Sequence, residues 1–389
     1  MSVDLHFDNG TQVIAARLAL DPRQCIADWG ALRSRMIRER DPAFTRDEWA
    51  YLLQFLAPER LELPWRDSFG TPLSTPATPG RIAAPRACVA LWLPNNVSLL
   101  GCLSLVLIST TSAQVRVKSG SRSNDLCAAF VAYARTRLPE GALRRWLTGH
   151  VEVRAFGRDH PDNLAMAQWA DVRIFFGGDR AAQEVQALPH KPGSLFVEFG
   201  DKVSEAWFSP SQARDAEAVR ALASVFAIFG QAGCTSPKRL LIVDGREEDA
   251  RAFSECFASA WQALAPDPVA QAQASEVVLG EQHARASGLQ ALRLRGNAAL
   301  LVLSRAAPPR TYCHLGLQLQ WGSLDEIAAT AAPNLQTVGH AGSVPPPAWI
   351  ETVSRTAANR MVPLARMHDF GHVWDGFAWW HNLFRWVEL

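Results

Sequence analysis

The chain has 389 residues, longer than the roughly 250–300 at which a single hydrophobic core stops growing, so two domains are expected. A composition of 48% hydrophobic and 20% charged residues is that of a globular protein and excludes a disordered or fibrous chain. A net charge of +1, with basic residues spread along the sequence, excludes a general attraction to nucleic acid or to a membrane surface.

The first residues, MSVDLHFDNG, have no basic segment followed by an apolar block, so no signal peptide is expected. Residues 1–60 read as helices, because apolar residues recur at three- and four-residue spacing in DPRQCIADWGALRSRMI and TRDEWAYLLQFL. Residues 62–86 are rich in Pro, Gly and Thr and read as a connector. Alternation then begins: ACVALWL as a strand, VSLLGCLSLVLIST as a helix, AQVRVK as a strand, and SNDLCAAFVAYARTRL as a helix capped by Asn124 or Asp125. VEVRAF, DVRIFFG and SLFVEFG are expected strands, with the helix NLAMAQWA among them. Such alternation implies a doubly wound, mostly parallel sheet. The uncharged run from Val97 to Val115 is about long enough to span a bilayer, but its Ser and Thr content makes a buried helix followed by a strand the better reading.

A second unit starts near residue 203. ARDAEAVRALASVFAIFG reads as one long helix running directly into G-C-T-S-P, RLLIVDG as a strand, and REEDARAFSECFASAWQAL as a helix. VVLG, LRLRG and ALLVLS read as strand segments. The run Pro345–Pro347 marks a boundary, and the Trp-rich end is expected to dock on the rest of the protein. The expected organisation is therefore 1–85 as a helical region with its connector, 86–202 as one α/β domain, 203–343 as a second, and 344–389 as a segment packing back on the first.

The seven cysteines, Cys25, Cys88, Cys102, Cys127, Cys234, Cys256 and Cys313, never form C-x-x-C. That argues against a disulfide framework or a zinc site and suits reduced thiols in the cytoplasm. His368 and His372 are spaced like ligands on one helix face, yet Gly371 and the surrounding aromatics suggest a packed turn, and no third ligand is evident; no metal site is expected. Trp374, Trp379, Trp380 and Trp386 have little basic charge beside them, so they read as core or as the wall of an acyl-chain tunnel rather than a nucleic-acid surface.

Cys234 differs from the other cysteines in its surroundings. It ends an apolar helix in F-G-Q-A-G-C-T-S-P, where glycines leave room for a carbonyl to approach. This turn resembles the G-Q-x-C-type nucleophile turn of the aldehyde dehydrogenase superfamily, here with one residue more than the commonest spacing. Upstream, V-E-F-G-D-K is similar to that superfamily's E-L-G-G-K segment, L-W-L-P-N-N-V to its oxyanion-stabilising segment, V-R-V-K-S-G-S to the strand whose lysine holds the adenosine ribose, and D-V-R-I-F-F-G-G-D-R to the strand and glycine turn beneath the cofactor. The closing R-M-V-P-L-A-R-M-H-D-F-G-H-V-W-D-G and the compact length resemble the LuxC-type acyl-CoA reductases.

The resemblance implies an aldehyde-dehydrogenase-like α/β fold, with a Rossmann-type cofactor domain beside an α/β catalytic domain. It implies Cys234 as the nucleophile, Asn96 as the oxyanion donor with Asn95 as the competing neighbour, and Glu198 as the carboxylate that is a general base in hydrolytic members. The implied cofactor residues are Pro94, Lys118, Ser119, Ser121, Arg122, Gly177 and Gly178. The acidic residue that in the superfamily shortly follows this lysine and binds the ribose hydroxyls is absent, since Ser119, Gly120, Ser121 and Arg122 follow Lys118. Arg122 either meets a 2′-phosphate or caps a solvated loop, and the expectation is NADPH over NADH. Asp201 replaces a glycine of the pattern, so Glu198 is read either as a base or as a group that orients Cys234 or shuttles a proton.

The implied activity is reduction of an acyl thioester to an aldehyde through an acyl-cysteine. The substrate is an acyl-CoA or acyl-carrier, an acyl-protein synthetase is a candidate partner, and a homo-oligomer is expected. Two other readings stay open: an aldehyde dehydrogenase working in the oxidative direction, and a non-redox acyl-transfer or scaffold protein on the same fold.

Overall fold

The computed structural model describes residues 5–8, 11–14, 20–69, 81–120, 126–231, 233–264, 271–294, 299–305, 307 and 310–388. The chain divides into two compact units, Met1–Gly200 with Phe370–Leu389, and Asp201–Asp369.

In the first unit the short apolar segments that alternate with helices form β1 (Cys88–Trp92), β2 (Gln114–Ser119), β3 (Val151–Ala155), β4 (Val172–Phe176) and β5 (Leu195–Phe199). Their order is β3-β2-β1-β4-β5, with every neighbouring pair parallel. β4 is buried at every position, as expected of a strand covered on both faces. The uncharged run after β1 becomes α1 (Leu100–Ser109), buried at nearly every residue. Its Ser109 hydroxyl donates to Val106 O at 2.6 Å and accepts from Trp29 Nε1 at 2.9 Å, which is how a polar residue is tolerated there. Among the described residues no helix is long and apolar enough to cross a membrane.

Two expectations for the N-terminal part need correction. Leu5–Asp8 and Thr11–Ile14 are antiparallel strands rather than helix, and the first of them, Leu-His-Phe-Asp, alternates apolar and polar residues with period two. They join a four-stranded sheet with Arg81–Pro85 and Phe384–Glu388. The expected connector is in part a helix, Pro58–Phe69, which buries Leu61 and Trp65 one turn apart. The rest of that stretch, 70–80, lies outside the described residues, as do the candidate caps Asn124 and Asp125.

Residues 370–389 belong to the first unit and 344–369 to the second. Trp379 is fully buried, stacked on Phe199 at 5.9 Å and on Phe176 at 6.3 Å. Trp380 donates its indole N–H to Leu107 O at 3.0 Å. His372 stacks on Trp380 at 5.7 Å.

The second unit is a seven-stranded sheet. Its strands are β6 (Val203–Phe208), β7 (Pro237–Val243), β8 (Gln290–Leu294), β9 (Ala299–Arg305), β10 (Gly316–Gly322), β11 (Leu335–His340) and β12 (Arg360–Pro363). The order is β8-β9-β10-β7-β6-β11-β12, parallel except for β8 against β9. The expected long helix over 213–230 is interrupted. Asp215 caps α3 (Ala216–Ala227) by accepting from Glu217 N, and a 3-10 turn, Ile228–Gln231, follows. VVLG is helical rather than extended. It lies inside α4 (Gln271–Ala286), where Val277, Gly280 and Ala284 recur on one buried face. Strands β10 and β11 escape sequence reading because Gln318, Gln320, Gln336 and Thr337 interrupt their apolar runs, although all four are buried. A buried ion pair, Arg239 Nη2 to Glu205 Oε1 at 2.6 Å, ties β7 to β6.

Candidate active site

The strand order of the first unit reverses between β1 and β4, and in such sheets ligands bind outside the carboxyl ends of the strands at that point. Pro94 follows β1 there, and Gly177 and Gly178 follow β4. Gly178 opens α2 (Asp179–Gln186), so the helix begins at the same edge, and Gly177 N–H donates to Phe199 O at 3.1 Å. Lys118 sits near the end of β2, paired with Trp92 of β1, and its backbone carbonyl accepts from Leu93 N at 2.9 Å. Its half-buried ammonium lies 3.5 Å from Ser119 O and 5.6 Å from the Phe156 ring centroid, and burial lowers its pKa. The buried Ser119 hydroxyl has no hydrogen-bond partner among the described residues. An ammonium, a hydroxyl and a glycine turn opening a helix have the chemistry that ribose and phosphate groups need. Ser121 and Arg122, the residues on which the choice between NADPH and NADH was read, lie outside the described residues.

Asn95 and Asn96 form an exposed bend between β1 and α1. Glu198 is exposed near the end of β5, and a Cβ on Gly200 would lie 2.9 Å from its Oε1 and 2.5 Å from Asp179 Oδ1. Two carboxylates thus converge on this glycine, and a side chain there would displace them.

Cys234 belongs to the second unit, in the loop between the 3-10 turn and β7. The turn is forced by two successive residues in the left-handed region, Gly230 at φ 57° and Gln231 at φ 63°. Glycine takes this conformation readily; glutamine adopts it at a cost of about 1–2 kcal/mol. The fully buried Gln231 side chain offsets that cost, donating to Gly316 O at 2.8 Å and Pro237 O at 3.0 Å and accepting from Gly316 N at 3.1 Å. Lys238 adds a bond from Nζ to Gln231 O at 2.7 Å, and burial brings its pKa down to about 8.

The amino ends of β6, β7 and β11 hold the remainder of the loop. Ser204 of β6 pairs with Pro237 on one side and Thr337 on the other, with a register irregularity beside each, at Lys238 in β7 and at Gln336 in β11. The Ser204 hydroxyl donates to Cys234 O at 2.7 Å. Gln336, fully buried, places Nε2 3.3 Å from Cys234 Sγ. On the next residue, the Thr235 hydroxyl lies 2.8 Å from His368 Nδ1, while His368 Nε2 lies 2.9 Å from Val225 O in the last turn of α3. A carbonyl only accepts, and burial lowers the His368 pKa. The neutral ring therefore carries its proton on Nε2 and accepts the Thr235 O–H at Nδ1. This is the work of His368, which was read from sequence only as a packed turn residue. Among the described residues, no group of three or more His, Cys, Asp or Glu side chains is arranged to hold a metal ion.

Cys234 is partly buried, as are Cys88 and Cys256, whereas Cys25, Cys102, Cys127 and Cys313 are buried. Burial pushes Cys25 up to about 12 and Cys313 up to about 11, and raises Cys88. None of the seven cysteines forms a disulfide. Sequence reasoning points to Cys234 and gives His368 no role beyond a turn residue, and it does not single out Ser204, Gln336 or Thr235. Each is remote in sequence from the turn or too ordinary a residue to signal its role.

The strand orders of the two sheets suit an aldehyde-dehydrogenase-like fold, and similarity to solved structures shows that fold. The chain is similar to an NAD-dependent benzaldehyde dehydrogenase from Corynebacterium glutamicum, at 14% identity over 95% of this chain and 86% of that one, with a TM-score of 0.68. It is similar to a succinate-semialdehyde dehydrogenase from Burkholderia pseudomallei, at 12% identity over 95% and 86%, with a TM-score of 0.69. It is also similar to the P. syringae indole-3-acetaldehyde dehydrogenase AldA, at 14% identity over 95% and 85%, with a TM-score of 0.65. No curated protein matches it. The pattern that defines the acyl-CoA reductase (LuxC) family matches residues 73–291, and the chain belongs to that family.

Proposed function

We propose that the protein reduces an acyl thioester to an aldehyde, with Cys234 carrying the acyl group and NADPH as the reductant. The observation that carries this reading is the build of the Cys234 loop. A partly exposed thiol sits on a turn fixed by Gln231, Ser204 and the His368–Thr235 pair, whereas Cys25 and Cys313 are sealed in cores. Family membership gives the reaction class.

The Cys234 thiolate attacks the thioester carbonyl, forming the Cys234 carbon–sulfur bond. Collapse breaks the bond to the carrier sulfur, which leaves with the electron pair and takes a proton from solvent. We assign the oxyanion to the Asn96 amide together with the Cys234 backbone N–H; in well-studied cases one such donor is worth about 3–4 kcal/mol. The nicotinamide, when bound, supplies a hydride to the acyl carbon. The resulting thiohemiacetal alkoxide re-forms the carbonyl, the carbon–sulfur bond breaks, and the electron pair returns to Cys234 as aldehyde leaves. Pro94, Lys118, Ser119, Ser121, Arg122, Gly177 and Gly178 are the residues we assign to the dinucleotide. Glu198 is assigned to proton handling, since reduction has no need of an activated water.

Intact-mass spectrometry with a panel of acyl-CoA and carrier-bound acyl thioesters, followed by NADPH, tests this reading. The wild type should gain the acyl mass and lose it on addition of the reductant, releasing aldehyde. Cys234→Ala should gain nothing and release none. Acylation of that variant to the wild-type extent, or a wild type that is never acylated, overturns the proposal.

A further inference from the structure

Within the reading of Cys234 as nucleophile, we propose that Gln336 is a further catalytic residue, whose amide N–H stabilises the Cys234 thiolate. Its Nε2 lies 3.3 Å from the sulfur, inside the distance at which an amide donates to sulfur. The backbone is shaped to deliver it. Along β11, Leu335 pairs with Val203 and Thr337 with the next residue, Ser204, so Gln336 is the extra residue of a bulge. Bulges re-aim a side chain and cluster beside active sites. The carbonyl freed by the bulge is satisfied by Asn359 N at 2.9 Å, and Thr337 resumes the ladder. The side chain is fully buried, so it has few rotamers to lose and can face the sulfur without reorganising.

The choice of glutamine is chemically informative. Sulfur bears negative charge twice in the cycle, before attack on the thioester and when the thiohemiacetal expels it. A neutral amide donor favours that charge at every working pH. A carboxylate of the same shape would set an oxygen against the sulfur and oppose the charge. A methionine of similar length would fill the space and donate nothing. Hydrogen bonds to charged groups are stronger than neutral ones, so loss of this donor should be read directly in the ionisation of the thiol.

The test is the pH dependence of iodoacetamide alkylation at Cys234, resolved by peptide mass spectrometry on the full chain, for the wild type, Gln336→Met and Gln336→Glu. Thermal melting confirms that each variant is folded. The alkylation midpoint should rise by about one pH unit in Gln336→Met, a tenfold loss of reactivity at neutral pH, and further in Gln336→Glu. Single-turnover acyl transfer by Gln336→Met should be slowed by the same factor at pH 7 and recover at pH 10. Midpoints equal to wild type in both folded variants overturn the inference, and a rise in Gln336→Met alone, without a larger one in Gln336→Glu, does so as well. Alkylation requires no acyl substrate, so the two readings fail separately. Shifted midpoints with no acylation of wild-type Cys234 would overturn the proposed reaction and leave Gln336 standing; acylation with unshifted midpoints would do the reverse.

Discussion

The two sheets of this protein present their candidate functional residues at opposite ends of their strands. In the first unit Pro94, Lys118, Gly177 and Gly178 gather at the carboxyl ends of β1, β2 and β4, where reversal of strand order opens a crevice in any sheet of this kind. In the second unit Cys234 sits at the amino ends of β6, β7 and β11, where no general rule of topology provides a site. That edge is made by side chains instead: Gln231 folded back on Gly316, Ser204 under the Cys234 carbonyl, Gln336 on the sulfur, and His368 on Thr235. The first site follows from backbone arrangement, and the second has to be built residue by residue. Substitutions should therefore be felt differently at the two edges.

The largest effect is expected at Gln231. Gln231→Ala removes three hydrogen bonds to Gly316 and Pro237 and leaves a non-glycine residue at φ 63° without its side-chain anchors. The loss should be about 3 kcal/mol in urea denaturation, with slower acylation of Cys234. Gln231→Gly loses the same bonds but accommodates the backbone angle, and it should recover about 1 kcal/mol of that loss. Equal stability of the two variants would show that the left-handed turn is not under strain. At the first edge, Lys118→Met keeps an unbranched apolar side chain and removes the ammonium that lies 5.6 Å from the Phe156 ring centroid. If the proposed cofactor assignment holds, it should weaken NADPH binding about tenfold in a fluorescence titration, a loss of about 1.4 kcal/mol, and leave Cys234 alkylation unchanged. An altered alkylation profile would mean that the two edges are not separable in this way.

This contrast also explains what could be read from sequence. The alternation of strands and helices is a periodic signal, so the first sheet is legible, and the glycine turn after β4 marks its functional edge. Cys234 is legible through its glycines and through the resemblance of the segments around it. Ser204, Gln336 and His368 are not. Their meaning depends on strand register and on a bulge, and one extra residue in a strand leaves no trace in a hydrophobic pattern. Strands β10 and β11 were missed because buried glutamines and threonine break the apolar run, and those polar groups serve the interior of the sheet, as when Gln320 accepts from Arg239 at 3.0 Å. VVLG shows the opposite error. Four apolar-looking residues suggest a strand until the spacing of Val277, Gly280 and Ala284 places them on one face of a helix.

The subtlest device at the second edge is the neutral His368, and its expected effect is the smallest. Burial first, and then the neighbouring Arg360, lower its pKa, against opposing contributions from the Val225 carbonyl and Asp369. A histidine whose folded pKa lies below its unfolded value takes up a proton more readily when unfolded. Stability is therefore held above about pH 6.5 and lost as pH falls from there towards the folded pKa. His368→Gln can keep an N–H for Val225 O and an acceptor for the Thr235 hydroxyl without titrating. At pH 8 it should cost under about 1 kcal/mol. Between pH 7 and pH 5 the wild type should lose stability that the variant retains, so the difference between their melting curves narrows as the solution is acidified. His314 and His340, also lowered by burial, titrate in both proteins and cancel in the subtraction. A difference that instead widens as the solution is acidified would mean that His368 is held charged. Its Nδ1 would then donate to Thr235, and the Thr235 O–H would be turned outward from the ring.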